Sequence, residues 1–343
     1  MNRMKLLILG GTGVISSAIV GQGLAQGHEI TIVNRGSRVS PYAGQIRCIQ
    51  ADRKDEAAFA AKLKDVRADV VIDMISFNPG DAAQTVRLFR DKAGQLIFTS
   101  SSAAYQRPYQ FLPIREERER LTTSPDFPYG FYKAEMERYL QTEMAKGDIP
   151  ITIIRPSLTF GVGAANIGVL RQNYNIVRRM REHLPLLMIG EGTIPWSFTF
   201  SDDLAKGFLL CCKNPRAYNQ AFHITNTQTV LWEDLYRAIG ELIGETPEFC
   251  YVSSQALHAA CPDVFAHFWY EKRYPSVFSN DKILSAAPEY APSITLKEGM
   301  ASILDWWEKG AGSIDPKKWE LEDAACRCAK DFQNRLRSVF SPV

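Results

Sequence analysis

No stretch of this 343-residue chain approaches the roughly 20 consecutive apolar residues that a membrane-spanning helix requires. The opening MNRMKLLILGG carries only a short apolar run before its glycines, which reads as a buried strand rather than a secretory leader. Neither sign of charge dominates. Lys and Arg number 40 against 38 Asp and Glu, so the net charge of +2 points to neither nucleic acid nor a membrane surface as a partner. Cysteine is present without a framework: Cys48, Cys211, Cys212, Cys250, Cys261, Cys326 and Cys328 are odd in number and follow no repeated spacing. Cys211 and Cys212 are adjacent, and Cys326-x-Cys328 is tighter than a zinc knuckle, so reduced thiols in a cytoplasmic protein are expected. His183, His223, His258 and His267 lack metal-ligand spacing, and no metal site is expected. No internal repeat or low-complexity segment is visible.

What is present is a regular alternation. Hydrophobic residues make up 45% and charged residues 23%, the balance of a globular enzyme with room for one large domain and a smaller lobe. Segments at 4–9, 28–33, 46–50, 69–74, 95–100 and 150–155 read as strands, most of them apolar on both faces. Helical spacing falls between them at 13–26, 55–64, 81–90 and from Pro128 onward. Strands apolar on both faces belong to a parallel sheet covered on each side by helices, and the right-handed crossover rule then favours an α/β doubly wound fold. The expected domains are a dinucleotide-binding domain at 1–156, rejoined at about 201–224, and a smaller C-terminal substrate lobe at 157–200 and 225–310. A C-terminal amphipathic helix is expected in 311–343. Its stripe of Leu321, Ala325, Cys328, Phe332, Leu336 and Val339 should cover either its own domain or a second subunit, which makes a homodimer one option.

The first strand runs into Gly10-Gly11-Thr12-Gly13-Val14-Ile15-Ser16. Gly10 permits the tight turn, Gly13 lets the backbone approach a pyrophosphate, and the following helix N-terminus offers free N–H groups and a positive dipole end. A strand before and a helix after this turn, at the start of the chain, give the glycines their meaning. Gly10, Thr12, Gly13, Val14 and Ile15 are therefore expected to hold a dinucleotide. Ser16 replaces a usual third glycine and is expected to pack helix against strand. The second strand ends Asn34-Arg35-Gly36-Ser37-Arg38, without the acidic residue that would bind the ribose hydroxyls of NAD. Arg35 or Arg38 would instead pair with a 2′-phosphate, so NADP is the expected cofactor and NAD the second choice. Asp52, after the third strand, is within reach of the adenine amino group.

Tyr129 and Lys133 stand four apart at the start of a helix and share one face. A phenol titrates near 10 and is a poor base at neutral pH, but a neighbouring ammonium favours the phenolate. Tyr129 then exchanges a proton with a substrate oxygen while a nicotinamide exchanges hydride. The fifth strand ends in Ser100, Ser101 and Ser102, hydroxyls at the sheet edge where doubly wound proteins bind ligands.

Together, GGTGVIS (10–16), ADRKD (51–55), SSSAAY (100–105), YGFYK (129–133), IIRPSLTFG (153–161), GTIPWSFTFSDDLAKG (192–207) and FHIT (222–225) resemble the extended short-chain dehydrogenase/reductase family, which includes the NAD-dependent epimerase/dehydratase enzymes. The resemblance implies a Rossmann domain with Ser101, or else Ser102, beside Tyr129 and Lys133. It also implies that Arg53, Ser100, Lys133, Pro156 and Ser157 line the cofactor. Two departures bear on the substrate. Ser102 and Ala103 occupy the positions of the Asp-Glu pair of sugar-nucleotide 4,6-dehydratases, so that dehydration is not expected. Trp196-Ser197-Phe198 replaces a turn in which an arginine pairs with a diphosphate; Arg171, Arg178, Arg179 and Arg181 either substitute for it or form a solvated helix face. Phe265, Phe268, Trp269 and Tyr270 either line a substrate pocket or pack the lobe.

The expected function is hydride transfer at a secondary alcohol or ketone of a sugar, sugar nucleotide or similar small polar substrate, as a reductase or an epimerase. The alternative is a non-catalytic dinucleotide-sensing binding protein, as some relatives are, including RNA-associated ones. Arg115–Arg120 is a mixed charge run that offers RNA little, and reads as a loop able to close over a substrate.

Overall fold

The computed structural model describes residues 3–340. The chain divides into two compact units. The first comprises residues up to Thr159 together with Thr199–Thr227 and Phe278–Ser293, and the second Phe160–Phe198, Gln228–Val277 and the segment from Ile294 onward.

Among the described residues, the first unit holds a seven-stranded parallel sheet. Its strands are β1 (Lys5–Leu9), β2 (Glu29–Asn34), β3 (Arg47–Gln50), β4 (Val70–Asp73), β5 (Leu96–Thr99), β6 (Ile151–Arg155) and β7 (Gln220–His223). They lie side by side in the order β7-β6-β5-β4-β1-β2-β3. The order reverses at β1 and β4, where Leu6 pairs with Val70 and Leu9 with Asp73. In such sheets the crevice for a ligand opens at the carboxyl ends of the strands on either side of that reversal. Helices α1 (Val14–Ala25), α2 (Glu56–Lys62), α3 (Pro79–Phe89), α4 (Pro128–Lys146) and α5 (Ser201–Cys211) cover the two faces. One core layer places Ile8, Ile32 and Ile72 against Ile19, Leu204 and Phe208; the other places Leu7, Val71 and Phe98 against Phe59, Phe89 and Leu140. The inner strands β1, β4, β5 and β6 are apolar on both faces because both are covered, which is why they read as hydrophobic runs.

Phe278–Ser293, expected in the smaller lobe, belongs to the first unit. The Asn280 side chain donates to the Thr225 carbonyl at 2.7 Å, and Ile283, Ala287 and Tyr290 enter the core around β1. That unit also continues to Thr159 and Thr227 rather than 156 and 224. The helix of Phe278–Ser293, Asp281–Ala286, is too short for apolar spacing to show where it docks.

In the second unit the strands Leu186–Ile189 and Phe249–Val252 pair in parallel. The last helix, α6 (Pro316–Phe340), belongs to this unit, and its expected apolar stripe is not what docks it. Glu322 and Cys326 are its buried residues, whereas Phe332 is 62% exposed and Val339 72%. Glu322 accepts from the Leu187 amide at 2.8 Å and from the Gln172 side chain at 3.0 Å. A carboxylate counted as solvent-facing by its chemistry is thus the anchor. Phe265 and Phe268 are buried against each other, while Arg273 stacks on Trp269, so this aromatic cluster packs the unit.

Candidate functional site

The glycine turn closes as its sequence requires. Gly10 has φ +86°, and a Cβ there would lie 2.3 Å from the Ile75 side chain. Ser16 does more than pack: its hydroxyl donates to the Gly10 carbonyl at 2.9 Å and accepts from the Gly13 amide at 2.8 Å, tying the turn to the first turn of α1. No acidic side chain stands in that first turn, so the positive end of the helix dipole is left unopposed.

Above this turn lies a cavity of about 860 Å³. It is lined by Gly10, Thr12, Gly13, Val14 and Ile15 at one end, and by Asn34, Arg35, Arg38, Asp52 and Arg53 beside them. Ile75, Phe77 and Asn78 line the wall after β4. A glycine cradle at a helix N-terminus with cations nearby is the donor set that a dinucleotide phosphate needs. Arg35 and Arg38 are exposed on its rim. Asn34 turns inward on its own loop, accepting from the Gly36 amide at 2.9 Å. Asp52 is exposed and caps its own turn through the Lys54 amide at 3.0 Å.

Arg53 lines the cavity and is also held by a network of its own. Its guanidinium donates to Gln84 at 3.1 Å, to the Ser76 hydroxyl at 3.1 Å, and to the Asp81 carbonyl and Thr85 hydroxyl at 2.9 Å each. It also faces buried Asp73 at 3.5 Å. These contacts fasten the wall after β4.

Lys133 lies in the second turn of α4 and is almost completely buried. Its ammonium donates to the carbonyls of Ser76 at 2.6 Å and Thr99 at 2.7 Å, the ends of the loop after β4 and of β5. Burial pulls its pKa down to about 8, with Asp73 and Glu137 partly opposing the fall. Tyr129, one turn earlier, is 43% exposed. Between them Gly130 touches the serine turn so closely that a Cβ would lie 2.4 Å from the Ala103 carbonyl oxygen. The first turn of α4 is therefore seated on the segment that carries Ser101 and Ser102.

The three serines divide their work. The Ser101 hydroxyl accepts from the Ala103 amide at 3.1 Å and caps a single 3₁₀ turn, Ser102–Ala104. Ser102 is buried, and its amide donates to the Pro156 carbonyl at 2.9 Å. Ser100 is buried and donates to Glu137. Ser157 shares a hydrogen bond of 3.3 Å with Thr199.

Sequence reasoning missed the polar core behind these residues. Glu137, one turn beyond Lys133, takes a bidentate pair from Arg155. Arg155 also donates to the Tyr105 hydroxyl at 2.7 Å, and that hydroxyl meets His223 Nε2. The His223 amide donates to Glu116 at 2.6 Å. The signal was present: a carboxylate four residues after Lys133 must lie on the same buried face. These bonds also hold the 115–120 run in place, with Arg115 paired to Asp281 at 2.8 Å and Glu119 accepting from the amides of Gln110 and Phe111. The run is anchored at Arg115, Glu116 and Glu119.

In the second unit, the arginines offered for a diphosphate are mostly committed. Arg178 pairs with Glu182, Arg181 with Glu308, and buried Arg179 with Asp323 and the Pro185 carbonyl. Among the described residues no group of three His, Cys, Asp or Glu could hold a metal ion, and no helix is long and apolar enough to cross a membrane.

A family model described as the NAD dependent epimerase/dehydratase family matches residues 6–225. The 2′-dehydrokanamycin reductase of Streptomyces kanamyceticus is 24% identical over 289 residues, covering 84% of this chain and 80% of the relative. The chloroplast stem-loop binding protein of 41 kDa b from Arabidopsis thaliana is 25% identical over 305 residues, with 83% and 75% covered. Among solved structures, an epimerase from Methanothermobacter thermautotrophicus superposes with a TM-score of 0.73 at 18% identity, covering 94% of this chain and 95% of that one. A UDP-glucose 4-epimerase from Thermotoga maritima, solved with UDP-glucose, gives 0.70 at 17% identity, with 89% and 99% covered. These likenesses establish the same fold.

Proposed function

The chain belongs to the NAD dependent epimerase/dehydratase family, and from that premise we propose that it is an NAD(P)-dependent oxidoreductase or epimerase acting at a secondary alcohol or ketone of a sugar-like substrate. The observation that carries this reading is the cavity itself. It runs from the glycine turn to the wall of Ile75–Asn78, and Ser76 in that wall is bonded to the Lys133 ammonium.

A bound nicotinamide supplies hydride transfer at carbon; the protein supplies everything else. The Gly10–Ile15 turn and the N-terminus of α1 hold the pyrophosphate. Lys133, on its two carbonyl anchors, presents a fixed positive charge one turn from Tyr129 and favours the phenolate. Tyr129 then takes the proton from a substrate hydroxyl or returns it to a ketone oxygen. Ser101, on the turn seated against Gly130, orients that oxygen by a hydrogen bond. Arg35 and Arg38 on the open rim favour NADP, since either guanidinium can pair with a 2′-phosphate.

The relative named for a reductase of an aminoglycoside ketone supports net reduction of a glycoside carbonyl. The test is deuterium transfer from 4-deuterated NADPH to 2′-dehydrokanamycin and to a panel of keto-sugars, with mass detection of product. Transfer that Tyr129→Phe abolishes supports the proposal. If label moves equally well in the Tyr129→Phe protein, the assignment of the proton donor fails. The stem-loop binding relative supports a second reading, a binding protein that retains the fold. Retention of both Tyr129 and Lys133 favours catalysis.

A further inference from the structure

Cys250 and Cys326 are 76 positions apart in sequence and meet inside the second unit. Cys250 belongs to the strand Phe249–Val252, and Cys326 to the docked half of α6. Cys250 Sγ lies 3.8 Å from the Cys326 carbonyl oxygen, and Cys326 Sγ lies 3.8 Å from the Pro185 carbonyl oxygen. The two thiols are also hydrogen-bonded to each other. Both are buried and carry no disulfide. A strand and a helix from distant parts of the chain thus bring two sulfurs into contact, the arrangement that must exist before a disulfide forms without backbone movement.

Most buried thiols are inert because an apolar setting opposes the thiolate. Cys211 and Cys212 are of that kind, for burial pushes both thiols up, Cys211 to about 12. Cys250 is different. The hydrogen bond with Cys326 holds its pKa below the ordinary value of a thiol, against the opposing effect of burial. Cys326 is raised by the same bond and by burial. One sulfur is therefore the readier thiolate, and a protonated thiol stands beside it. Cys326 is also the last buried residue of α6. From Arg327 to Phe340 every residue is exposed except Ala329, which is partly so. Fraying of α6 from that open end reaches Cys326 first among its buried residues.

We propose that Cys250 and Cys326 form an oxidation site, a dithiol that a peroxide converts into a disulfide fastening α6 to the strand Phe249–Val252. The Cys250 thiolate attacks one oxygen of hydrogen peroxide and the O–O bond breaks. The hydroxide released takes up the thiol's proton, leaving Cys250 as a sulfenic acid and one water. The Cys326 sulfur then attacks Cys250 Sγ. The S–O bond breaks, and the hydroxide leaves with the Cys326 proton as a second water. Two thiols are oxidised, one peroxide is reduced, and two waters form. A crosslink across 76 positions removes loop freedom from the unfolded chain and so stabilises the docked helix. Neither cysteine lines the dinucleotide cavity, and the chemistry does not depend on the activity proposed for it.

The experiment treats the full chain with hydrogen peroxide, maps its peptides by mass spectrometry without reduction, and follows thermal melting. The expected product is a crosslinked peptide pair joining Cys250 to Cys326, lighter by two hydrogens than the two separate peptides. The melting midpoint is expected to rise by about 5 °C, and dithiothreitol to reverse both effects. Cys328→Ser is expected to keep the crosslink, while Cys250→Ala and Cys326→Ala each lose it together with the peroxide-induced rise. A crosslink through the exposed Cys328 instead would overturn the assignment. So would sulfinic or sulfonic acid at either thiol without a crosslink, thiols that peroxide leaves unchanged, or a crosslink that leaves the midpoint where it was. The peptide map reads the wild-type chain and therefore decides the matter even if an alanine variant fails to fold.

Discussion

Arg155 and Glu137 form a bidentate ion pair from which solvent is excluded, their side chains only 5% and 0% exposed. It joins the end of β6 to α4, and through Ser100 and Tyr105 it grips both ends of the serine turn. An isolated charge at that depth is far costlier than a missing pair. Arg155→Met or Glu137→Leu alone is expected to cost about 3–5 kcal/mol in urea unfolding, and the double variant less than the sum of the two. Additive losses would show that the pair is not coupled.

Gly130 carries a second consequence. A Cβ at this position meets a backbone carbonyl, that of Ala103, and backbone does not yield as a flexible side chain does. Gly130→Ala is expected to push α4 off the serine turn, costing roughly 1–3 kcal/mol and lowering turnover more than dinucleotide affinity. Stability measured by denaturant and affinity measured by titration separate the two effects. Unchanged stability would mean that the contact relaxes freely.

Lys133 gives stability a pH dependence of defined sign. Its folded-state pKa is about 8, below the unfolded value near 10.5. Between those values the unfolded chain binds more protons, so stability rises with pH across that window and the cost of the buried charge is fully present only below about pH 8. Compared with Lys133→Met, the wild-type chain should gain relative stability from pH 8 to pH 10, by about 3 kcal/mol at most. Parallel melting curves for the two proteins over that range would contradict the shift.

In α6 the anchor is polar and the apolar stripe is loose. Glu322→Ala removes the acceptor from Leu187 and Gln172 and leaves buried Arg179 with one carboxylate fewer, so a loss of about 2–4 kcal/mol is expected. Phe332→Ser and Leu336→Ser, on exposed residues, should stay within about 0.5 kcal/mol. Thermal melting of the three variants checks the order; a large loss at Phe332 would mean that something covers it.

These particulars show what the sequence carried. Buried parallel strands are largely apolar, so β1, β4, β5 and β6 could be read from runs such as Lys5–Leu9 and Val70–Asp73. The glycine turn and the four-residue step from Tyr129 to Lys133 were legible because backbone geometry fixes such spacings. The Arg155–Glu137–Tyr105–His223 core was not, since its members come from four distant segments and each polar residue alone suggests solvent. What could not be read for Arg53, which lines the cavity, is that Asp73, Gln84 and Thr85 also hold its guanidinium. The stripe on α6 was periodic, but periodicity does not say that a neighbour is there.

The measurement that bears most directly on the site is mass spectrometry of nucleotides released from the purified chain, followed by titration of the emptied protein with NADP and NAD. Binding of NADP more tightly than NAD, with the preference falling at least about tenfold when Arg35 and Arg38 are both replaced by alanine, is expected from the charge-assisted pairing assigned to the rim. Tightly retained NAD that outcompetes NADP would contradict the assignment of Arg35 and Arg38, and failure to bind either nucleotide would contradict the dinucleotide site itself.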